Sequence, residues 1–336
     1  MTRIGIIGLG FMGRTHYEAY QKIPDAQVVM VADQDARRAA GDLSGGWGNL
    51  NTGAITQLPM DRIRGVTNFQ QLIDDPQVDL IDICTPTPGH VEATLAALAS
   101  GKHVICEKPL AISSADARRI AEAAAKARGL FMPAMCVRFW PQWEWLKRAV
   151  DEGSYGAVRS AVFRRLGSMP AGWFKEGKLS GGAVFDLHVH DTDFIYHLFG
   201  KPAGVFSRGY SKTSGEIDHL ITQYLFDAGP LVSAEGGWCM ADGFPFAMKY
   251  VVNFDRATAD YDSSRAEKPL IVYSNGKSQA IEIPGTDGYV GELRYFLECI
   301  RTNTRPRRVT AQDAVISLQI LEAEKKSVES ARVEVL

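Results

Sequence analysis

The stretch RIGIIGLGFMG, Arg3–Gly13, combines a short run of isoleucines with three glycines at the spacing G-x-G-x-x-G. Uncharged β-branched residues favour a buried strand, and the segment that follows, RTHYEAYQKI, has the pattern of a helix. In such a strand–turn–helix, Gly8 makes the tight turn, Gly10 lets the backbone approach a pyrophosphate and Gly13 lets the helix pack closely on the strand. The helix N-terminus offers free N–H groups to the phosphates. The stretch therefore predicts a dinucleotide-binding fold.

A second apolar run, Gln27–Ala32, ends in Asp33. The fingerprint expects an acidic residue about 20 residues after its glycines, where the carboxylate binds the 2′-hydroxyl of the adenosine ribose. A carboxylate there also repels the 2′-phosphate of NADP, so Asp33 predicts NAD rather than NADP. Two alternatives stay open. Asp33 could instead cap a helix that begins at Ala36, and Arg37 and Arg38, expected to be too far from the site, keep NADP as an option.

The composition is that of an ordinary globular protein and excludes several classes of partner. The 336 residues suffice for two domains, 46% of them are apolar, and the formal net charge is -2. So small a charge gives no electrostatic basis for binding nucleic acid or an anionic membrane. The scattered cysteines form no C-x-x-C pair, so we predict no metal site, no disulfides and a cytoplasmic location. No apolar run has the length of a membrane span, and no signal peptide is predicted.

Strand and helix patterns alternate along the first third of the chain, which predicts an α/β Rossmann fold with a doubly wound parallel sheet. The glycine-rich stretch Gly45–Met60 interrupts the alternation and indicates a surface loop. After about Val137, strand patterns follow one another without crossover helices, which predicts an α+β domain with a large, open, mostly antiparallel sheet. We therefore predict an NAD(P)-binding domain over residues 1–125 and a substrate-binding and oligomerisation domain over residues 126–336. One face of this sheet needs a cover, so we expect a homo-oligomer, a dimer or a tetramer.

Two further strand ends of the first domain carry polar residues. Thr85–His90, TPTPGH, follows one apolar strand, and Glu107-Lys108-Pro109 follows the next. Ligands of doubly wound folds bind at the carboxyl ends of the strands, and a Glu–Lys pair there is costly to desolvate, so a functional role is favoured over a solvated loop. We expect Lys108 beside the nicotinamide, and we predict that the bond before Pro109 is cis.

The second domain supplies a carboxylate and a histidine inside the apolar segment GGAVFDLHVHD, Gly181–Asp191. Asp186 and His190 lie four residues apart and share a face of the predicted helix. A carboxylate beside a histidine stabilises the imidazolium, which makes the pair a candidate for proton transfer. One alternative is a buried pair that only stabilises the core, and another is a metal site, which we do not predict because alternate residues point to different sides of a helix. The ligands of that metal site would be His188, His190, Asp191 and His197.

Together, GLGFMG, TPTPGH, GKHVICEKPLA and GGAVFDLHVHDTD resemble the motifs of the Gfo/Idh/MocA oxidoreductases, in order and over the whole chain. This family includes glucose–fructose oxidoreductase, inositol dehydrogenases and related sugar dehydrogenases. The resemblance implies a Rossmann domain followed by an open-sheet domain that is often buried between subunits. It also implies that Lys108, Asp186 and His190 are catalytic, with the histidine as acid–base and the other two in support. His188 departs from the glycine that many members carry at this place.

The residues predicted to contact the cofactor come from the glycine turn, the acidic position and the two later strand ends. They are Gly8, Gly10, Phe11, Met12, Gly13, Asp33, Thr85, Pro86, His90, Glu107 and Lys108. Tryptophan suits the apolar faces of sugar rings, and arginine suits hydroxyl or carboxylate groups, which suggests a substrate pocket. The substrate candidates are Lys108, Arg138, Trp140, Arg164, Trp173, Asp186, His188, His190 and Tyr289.

The combined prediction is an NAD-dependent oxidoreductase that moves a hydride between nicotinamide and a secondary hydroxyl or ketone of a sugar, sugar derivative or cyclitol. The alternatives are an NADP-dependent or non-sugar dehydrogenase, a glycosidase that uses NAD in a transient oxidation, and a regulator that senses the dinucleotide without turnover. The intact set of Lys108, Asp186 and His190 counts against the regulator.

Overall fold

The chain forms two compact units, each built from two separate segments of sequence. The computed structural model describes residues 1–44, 55–285 and 287–336. The first unit comprises Met1–Phe139 and Asp287–Val315, and the second comprises Trp140–Thr286 and Ile316–Leu336. The sequence predicted a single domain boundary, after residue 125. In the structure the first unit instead continues to Phe139 and takes in a later segment, which local sequence patterns do not reveal.

Six strands form the sheet of the first unit, and all neighbouring pairs are parallel. They are β1 (Thr2–Ile7), β2 (Ala26–Ala32), β3 (Arg64–Val66), β4 (Leu80–Ile83), β5 (His103–Glu107) and β6 (Phe131–Ala134). The spatial order is β3-β2-β1-β4-β5-β6, the Rossmann order. The predicted doubly wound parallel sheet is confirmed.

The isoleucines of the opening stretch form the centre of this sheet. Ile4, Ile6 and Ile7 of β1 are buried, as expected for a central parallel strand. The helices of the first segment are α1 (Phe11–Tyr20), α2 (Ala36–Ala39), α3 (Phe69–Ile73), α4 (His90–Ala99) and α5 (Ser114–Lys126). Because the strands are parallel, β1, β4 and β5 all end at one edge of the sheet, where the three predicted cofactor-binding segments begin.

The stretch Gly45–Met60, predicted to be a surface loop, lies mostly outside the described residues. Its last part returns to the first unit, where the Leu58 N–H donates to Gly41 O at 2.9 Å and the Leu58 side chain is buried. For residues 45–54 the surface loop stays a prediction.

Nine strands form the sheet of the second unit, in the order β14-β13-β12-β11-β7-β10-β9-β8-β15. They are β7 (Val158–Ser168), β8 (Gly204–Tyr210), β9 (His219–Leu225), β10 (Leu231–Met240), β11 (Ala247–Phe254), β12 (Thr258–Asp262), β13 (Leu270–Ser274), β14 (Lys277–Ala280) and β15 (Glu334–Val335). Strands β7 and β10 pair in parallel, and the other pairs are antiparallel. The predicted large and mostly antiparallel sheet is confirmed.

The two faces of the nine-stranded sheet differ in burial. Along β7, Phe163 and Arg165 are buried whereas Val162 and Arg164 are exposed, because successive strand residues point to opposite faces. The buried face carries an aromatic core around Trp143, which contacts the rings of Phe163, Phe194, Tyr250 and Tyr261. The remaining helices of the chain are α6 (Pro141–Asp151), α7 (Gly177–Ser180), α8 (Val189–Phe199), α9 (Gly288–Thr302) and α10 (Ala311–Ser330), with a π turn at Val184–His188.

All five cysteines are buried and free of disulfide bonds. Within the part of the chain that the structure describes, no helix combines the length and the apolar character needed to cross a membrane.

Candidate active site

The glycine turn leaves open the space that a pyrophosphate needs. Gly8 has φ +92°, and a Cβ at Gly13 would lie only 1.9 Å from Gly8 O, so the fold itself requires these two glycines. Gly10 differs, because no described atom outside the turn lies within 4 Å of its would-be Cβ. As the N-cap of α1, Gly10 makes no side-chain capping bond. The open space and the N-terminal N–H groups of α1 fit the phosphates of a dinucleotide. Phe11 and Met12, in the first turn of α1, are half-buried.

Asp33 lies against the glycine turn. Its Oδ2 accepts a hydrogen bond from the Leu9 N–H at 2.7 Å, and its Oδ1 accepts one from the Asp35 N–H at 2.9 Å. Helix α2 is capped by Asp35, whose side chain accepts from the Arg37 N–H, so the alternative that Asp33 caps this helix is wrong. Arg38 is closer than the sequence suggested, with Nη1 at 3.8 Å from Asp33 Oδ2. The Asp33 carboxylate, which is predicted to bind the ribose hydroxyl, therefore has the Arg38 guanidinium beside it.

His90 connects the two loops that follow β4 and β5. Its Nε2 lies 2.8 Å from Thr85 O and its Nδ1 lies 2.8 Å from Pro109 O, and the residue is buried. Burial lowers the pKa of His90, and the two carbonyl contacts offset this only in part. His90 was predicted to contact the cofactor, but its ring binds backbone carbonyls and stabilises the loops. Thr85 is half-buried with its hydroxyl oxygen in the interior, and Pro86 is exposed.

Glu107 and Lys108 face different surroundings. The Lys108–Pro109 peptide bond is cis, as predicted. Glu107 is buried at the end of β5; its Oε2 accepts from the Lys108 N–H at 3.0 Å, and its Oε1 lies 3.0 Å from Nε2 of His16. Lys108 is half-buried. Glu107 thus points into the first unit, and Lys108 is the member of the pair that is accessible at the strand edge. His16 is not among the residues predicted from the sequence, although a histidine three residues after the last glycine of the motif is a usable signal.

Asp186 and His190 lie on an irregular part of a helix. Val184–His188 forms a π turn, and His190 lies in the first turn of α8. Such turns are rare and occur frequently at functional sites. Both side chains are half-buried, which leaves them accessible at the surface of the second unit.

His188, between these two residues, belongs to the core. Its Nε2 lies 3.2 Å from the Tyr224 hydroxyl and 3.4 Å from Glu324 Oε2. Gly236 of β10 provides the space, since a Cβ there would lie 2.3 Å from His188 Nδ1. Burial lowers the pKa of His188 to about 3 and raises that of Glu324 to about 8, so both are uncharged at neutral pH. The interpretation of His188 as a substrate-lining residue is therefore wrong.

Asp191 and His188, two of the ligands of the alternative metal site, have other side-chain partners. Asp191 Oδ2 lies 2.8 Å from Arg165 Nε in a fully buried ion pair, and His188 contacts Tyr224. Among the described residues, the proposed ligands do not converge on one point.

Arg164 does not share a face with the candidate catalytic pair. Its side chain is exposed and its Nε lies 2.6 Å from Glu235 Oε2. Its neighbour Arg165 points to the opposite face and binds Asp191 of α8. Arg164 therefore points away from the helix that carries the candidate histidine, and its interpretation as a substrate ligand is not supported.

Arg138 is an interior residue of the first unit. Its Nη1 donates to Arg308 O at 2.8 Å and lies 3.4 Å from Asp313 Oδ2. Because the side chain is buried and bound to these groups, its interpretation as a substrate ligand is not supported either. The other candidates, Trp140 and Trp173 in the second unit and Tyr289 in the first, are half-buried.

A Rossmann sheet with an open glycine turn, followed by an open-sheet unit with an accessible Asp–His pair, is the architecture of a dinucleotide-dependent oxidoreductase. Comparison with known proteins identifies the family of oxidoreductases. Residues 2–135 match the group described as "Oxidoreductase family, NAD-binding Rossmann fold", and residues 143–260 match the GFO/IDH/MocA C-terminal domain. The chain belongs to the Gfo/Idh/MocA oxidoreductase family, as the resemblance implied.

Several proteins similar to this chain are named dehydrogenases. The chain is 26% identical to myo-inositol 2-dehydrogenase of Thermotoga maritima, over 98% of this chain and 97% of the relative. It is 30% identical to trans-1,2-dihydrobenzene-1,2-diol dehydrogenase of Xenopus laevis, over 68% of this chain and 66% of the relative. A structure of levoglucosan dehydrogenase with NADH and levoglucosan has a TM-score of 0.86 at 20% identity and covers 99% of both chains, which shows the shared fold.

Proposed function

We propose that this protein is an NAD-dependent dehydrogenase that oxidises a secondary hydroxyl, or reduces the corresponding ketone, of a sugar, sugar derivative or cyclitol. The observation that carries the proposal is the position of Lys108, accessible at the carboxyl edge of a Rossmann sheet next to the buried Glu107. The accessible Asp186 on the π turn and His190 in the first turn of α8 support it. Relatives named inositol dehydrogenases point to cyclitols and sugars as the substrate class.

The three side chains have distinct roles in this reaction. When bound, NAD supplies the hydride acceptor. His190 removes the hydroxyl proton of the substrate, and Asp186 stabilises the imidazolium that forms. Lys108 donates a hydrogen bond to the same oxygen and stabilises its alkoxide character.

Substitution of the proton acceptor His190 and of the hydrogen-bond donor Lys108 tests this mechanism. Lys108→Met and His190→Asn should each lower kcat at least 100-fold, in the usual range for general acid–base groups, while the Kd for NAD changes little. His197→Asn, on the same helix as His190, is the matched control and should turn over like the wild type. Unchanged turnover in both Lys108→Met and His190→Asn would contradict the mechanism.

A substrate panel identifies the class of hydroxyl. Inositols, sugars, sugar acids and levoglucosan should be tested with NAD while NADH formation is followed. The diol dehydrogenases at 30% identity favour a second candidate, a vicinal diol on a non-sugar ring, so trans-dihydrodiols belong in the panel. NADH that accumulates in proportion to consumed substrate supports the proposal. Product without net NADH would indicate the glycosidase, and binding without turnover would indicate the regulator.

Preference for NAD over NADP is part of the proposal and rests on Asp33. Its carboxylate repels a 2′-phosphate, although the nearby Arg38 partly offsets that repulsion. The measurement is the ratio of kcat/KM for the two cofactors. A higher value with NADP would overturn the role assigned to Asp33.

We also propose a homo-oligomer formed through the exposed face of the nine-stranded sheet. Val162 and Val251 are direct cross-strand neighbours on this face and are 49% and 45% exposed, and Ile221 on the same face is 53% exposed. A second copy would cover these apolar groups. Val162→Asp should shift the solution mass toward the monomer in light scattering, whereas Val333→Asp, outside the sheet, should not. A monomeric wild type would refute this part. The five buried cysteines, none of which forms a disulfide bond, support a cytoplasmic location.

A further inference from the structure

A group of buried ionisable side chains in the first unit has no role in the proposed chemistry. His16 of α1 lies at its centre, with Nδ1 at 2.8 Å from Asp82 Oδ2 of β4. Its Nε2 lies 3.0 Å from Glu107 Oε1 of β5 and 3.9 Å from Glu292 Oε1 of α9. All four residues are buried. We refer to His16, Asp82, Glu107 and Glu292 as the His16 cluster.

The surroundings of the ring require a charged histidine. A neutral imidazole has one N–H, an ionised carboxylate only accepts hydrogen bonds, and both ring nitrogens of His16 face carboxylate oxygens. The Nε2–H lies near both Glu107 and Glu292 without the alignment of a hydrogen bond, so this contact is an ion pair. Burial by itself lowers the pKa of His16, but the charge of Asp82 raises it well above its ordinary value. Tyr20, Cys84 and Tyr289 are further ionisable groups that face the cluster, and the charge of Asp287 acts on Glu292.

Glu292 is the uncharged member of the cluster. Neither of its carboxylate oxygens has a hydrogen-bond partner among the described residues. Burial raises the pKa of Glu292 well above its usual range, and the charge of His16 offsets this only in part. Three carboxylates around one cation cannot all stay charged in a buried site. The cluster therefore contains one imidazolium, two carboxylates and one neutral acid.

We propose that His16 is a positioning residue whose imidazolium holds the Glu107 carboxylate in the interior, where it accepts from the Lys108 N–H and orders the backbone that carries Lys108. The helix that offers its N-terminus to the phosphates thus also supports the lysine turn. This inference rests on the proposed function of Lys108. It assigns a role to a residue that is fully buried.

Nuclear magnetic resonance of the full chain with ¹⁵N-labelled histidine tests the charge of the ring directly. His16→Gln identifies the His16 signals. We expect both ring nitrogens of wild-type His16 to stay protonated above the pH range in which an ordinary histidine titrates, because the neighbouring Asp82 carboxylate raises its pKa. A neutral ring at neutral pH, or a ring whose Nε2 binds a metal ion, would overturn the proposal.

Kinetics of His16→Gln test the positioning role. Glutamine keeps a polar side chain without the charge, so kcat should fall at least tenfold while the Kd for NAD stays within about threefold. The loss should fall on kcat, while the KM for the substrate stays within about threefold, because the ordered lysine turn acts on the reacting oxygen. His103→Gln, at the opposite end of β5, is the control and should leave kcat and KM unchanged. A wild-type kcat per folded enzyme in His16→Gln would refute the positioning role, since a purely structural role lowers only the amount of folded enzyme.

The variants distinguish a failure of the proposed function from a failure of the role of His16. If Lys108→Met keeps full activity, the proposed function fails, whereas the charge state of His16 is still measured independently. If Lys108→Met is inactive and His16→Gln behaves like the wild type, only the present inference fails. Should His16→Gln not fold, Glu107→Gln provides the kinetic test: a tenfold loss of kcat supports the proposal, and wild-type kcat contradicts it.

Discussion

Alanine at Gly13 and at Gly10 should separate the folding role of the glycine turn from its binding role. At Gly13, the added Cβ would lie 1.9 Å from Gly8 O, whereas real Cβ contacts are not shorter than 3.0 Å. The backbone must therefore move by about 1.1 Å (3.0 minus 1.9). Because the opposing atom is backbone rather than the end of a flexible side chain, we expect the free energy of unfolding to fall by about 3 kcal/mol or more.

At Gly10 the same change should leave the fold intact. Its φ of -70° suits any residue, and the space around the would-be Cβ is open. Alanine restricts the unfolded chain, so the free energy of unfolding should stay equal or rise by up to about 1 kcal/mol. The methyl group would occupy the space that the pyrophosphate needs. We expect the Kd for NAD to rise at least tenfold, which is about 1.4 kcal/mol.

Urea unfolding and calorimetric titration with NAD measure the two effects separately. The reasoning is refuted if Gly10→Ala binds NAD as tightly as the wild type, because the open space would then not be the phosphate site. It is equally refuted if Gly13→Ala is as stable as the wild type.

Three further substitutions test single contacts. Asp33→Asn removes the charge that repels a 2′-phosphate and leaves Arg38 available, so the NADP/NAD ratio of kcat/KM should rise at least tenfold; an unchanged ratio would contradict the role of Asp33. Asp191→Asn leaves the buried Arg165 without its anion and should cost about 3–5 kcal/mol in urea unfolding, and a loss below about 1 kcal/mol would count against the pair. Since the pKa of Glu324 is raised from 4.5 to about 8, its neutral form stabilises the fold at low pH and this contribution declines as pH rises through 8. Above about pH 6.5 the opposing contribution of His188, whose pKa is lowered, no longer changes with pH. Glu324→Gln should therefore lose less stability than the wild type as pH rises above this point. The same pH dependence of unfolding in the variant and the wild type would disprove the role of Glu324.

The Rossmann half was predictable because its signals are local. The strand, the glycine turn and the helix lie within one continuous stretch, and each glycine has a steric reason that the backbone geometry bears out at Gly8 and Gly13. The alternation of strands and helices then leaves few possible topologies. The cis bond before Pro109 and the accessible Lys108 also followed from position at a strand end.

The substrate half was less predictable because residue type does not determine the direction of a side chain. Arg164 and Arg165 are neighbours of the same type, but one is exposed and the other is buried on Asp191. Arg138 was chosen because arginine suits hydroxyl groups, but it binds Arg308 O in the interior. His188 lies in a π turn, and the spacing of apolar residues along the predicted helix does not indicate this turn.

By itself, the sequence determined the cofactor class, the architecture of both sheets and the candidate catalytic side chains, because short-range patterns and motifs encode them. Only the tertiary structure decided which polar residues are buried and which partners they have. His16 and Asp82 are 66 positions apart in the chain and in contact in the fold, and Glu292 reaches the same place from α9. Such contacts depend on how strands and helices pack, and burial then sets the charge of each group. Periodicity in a single sequence carries no information about either.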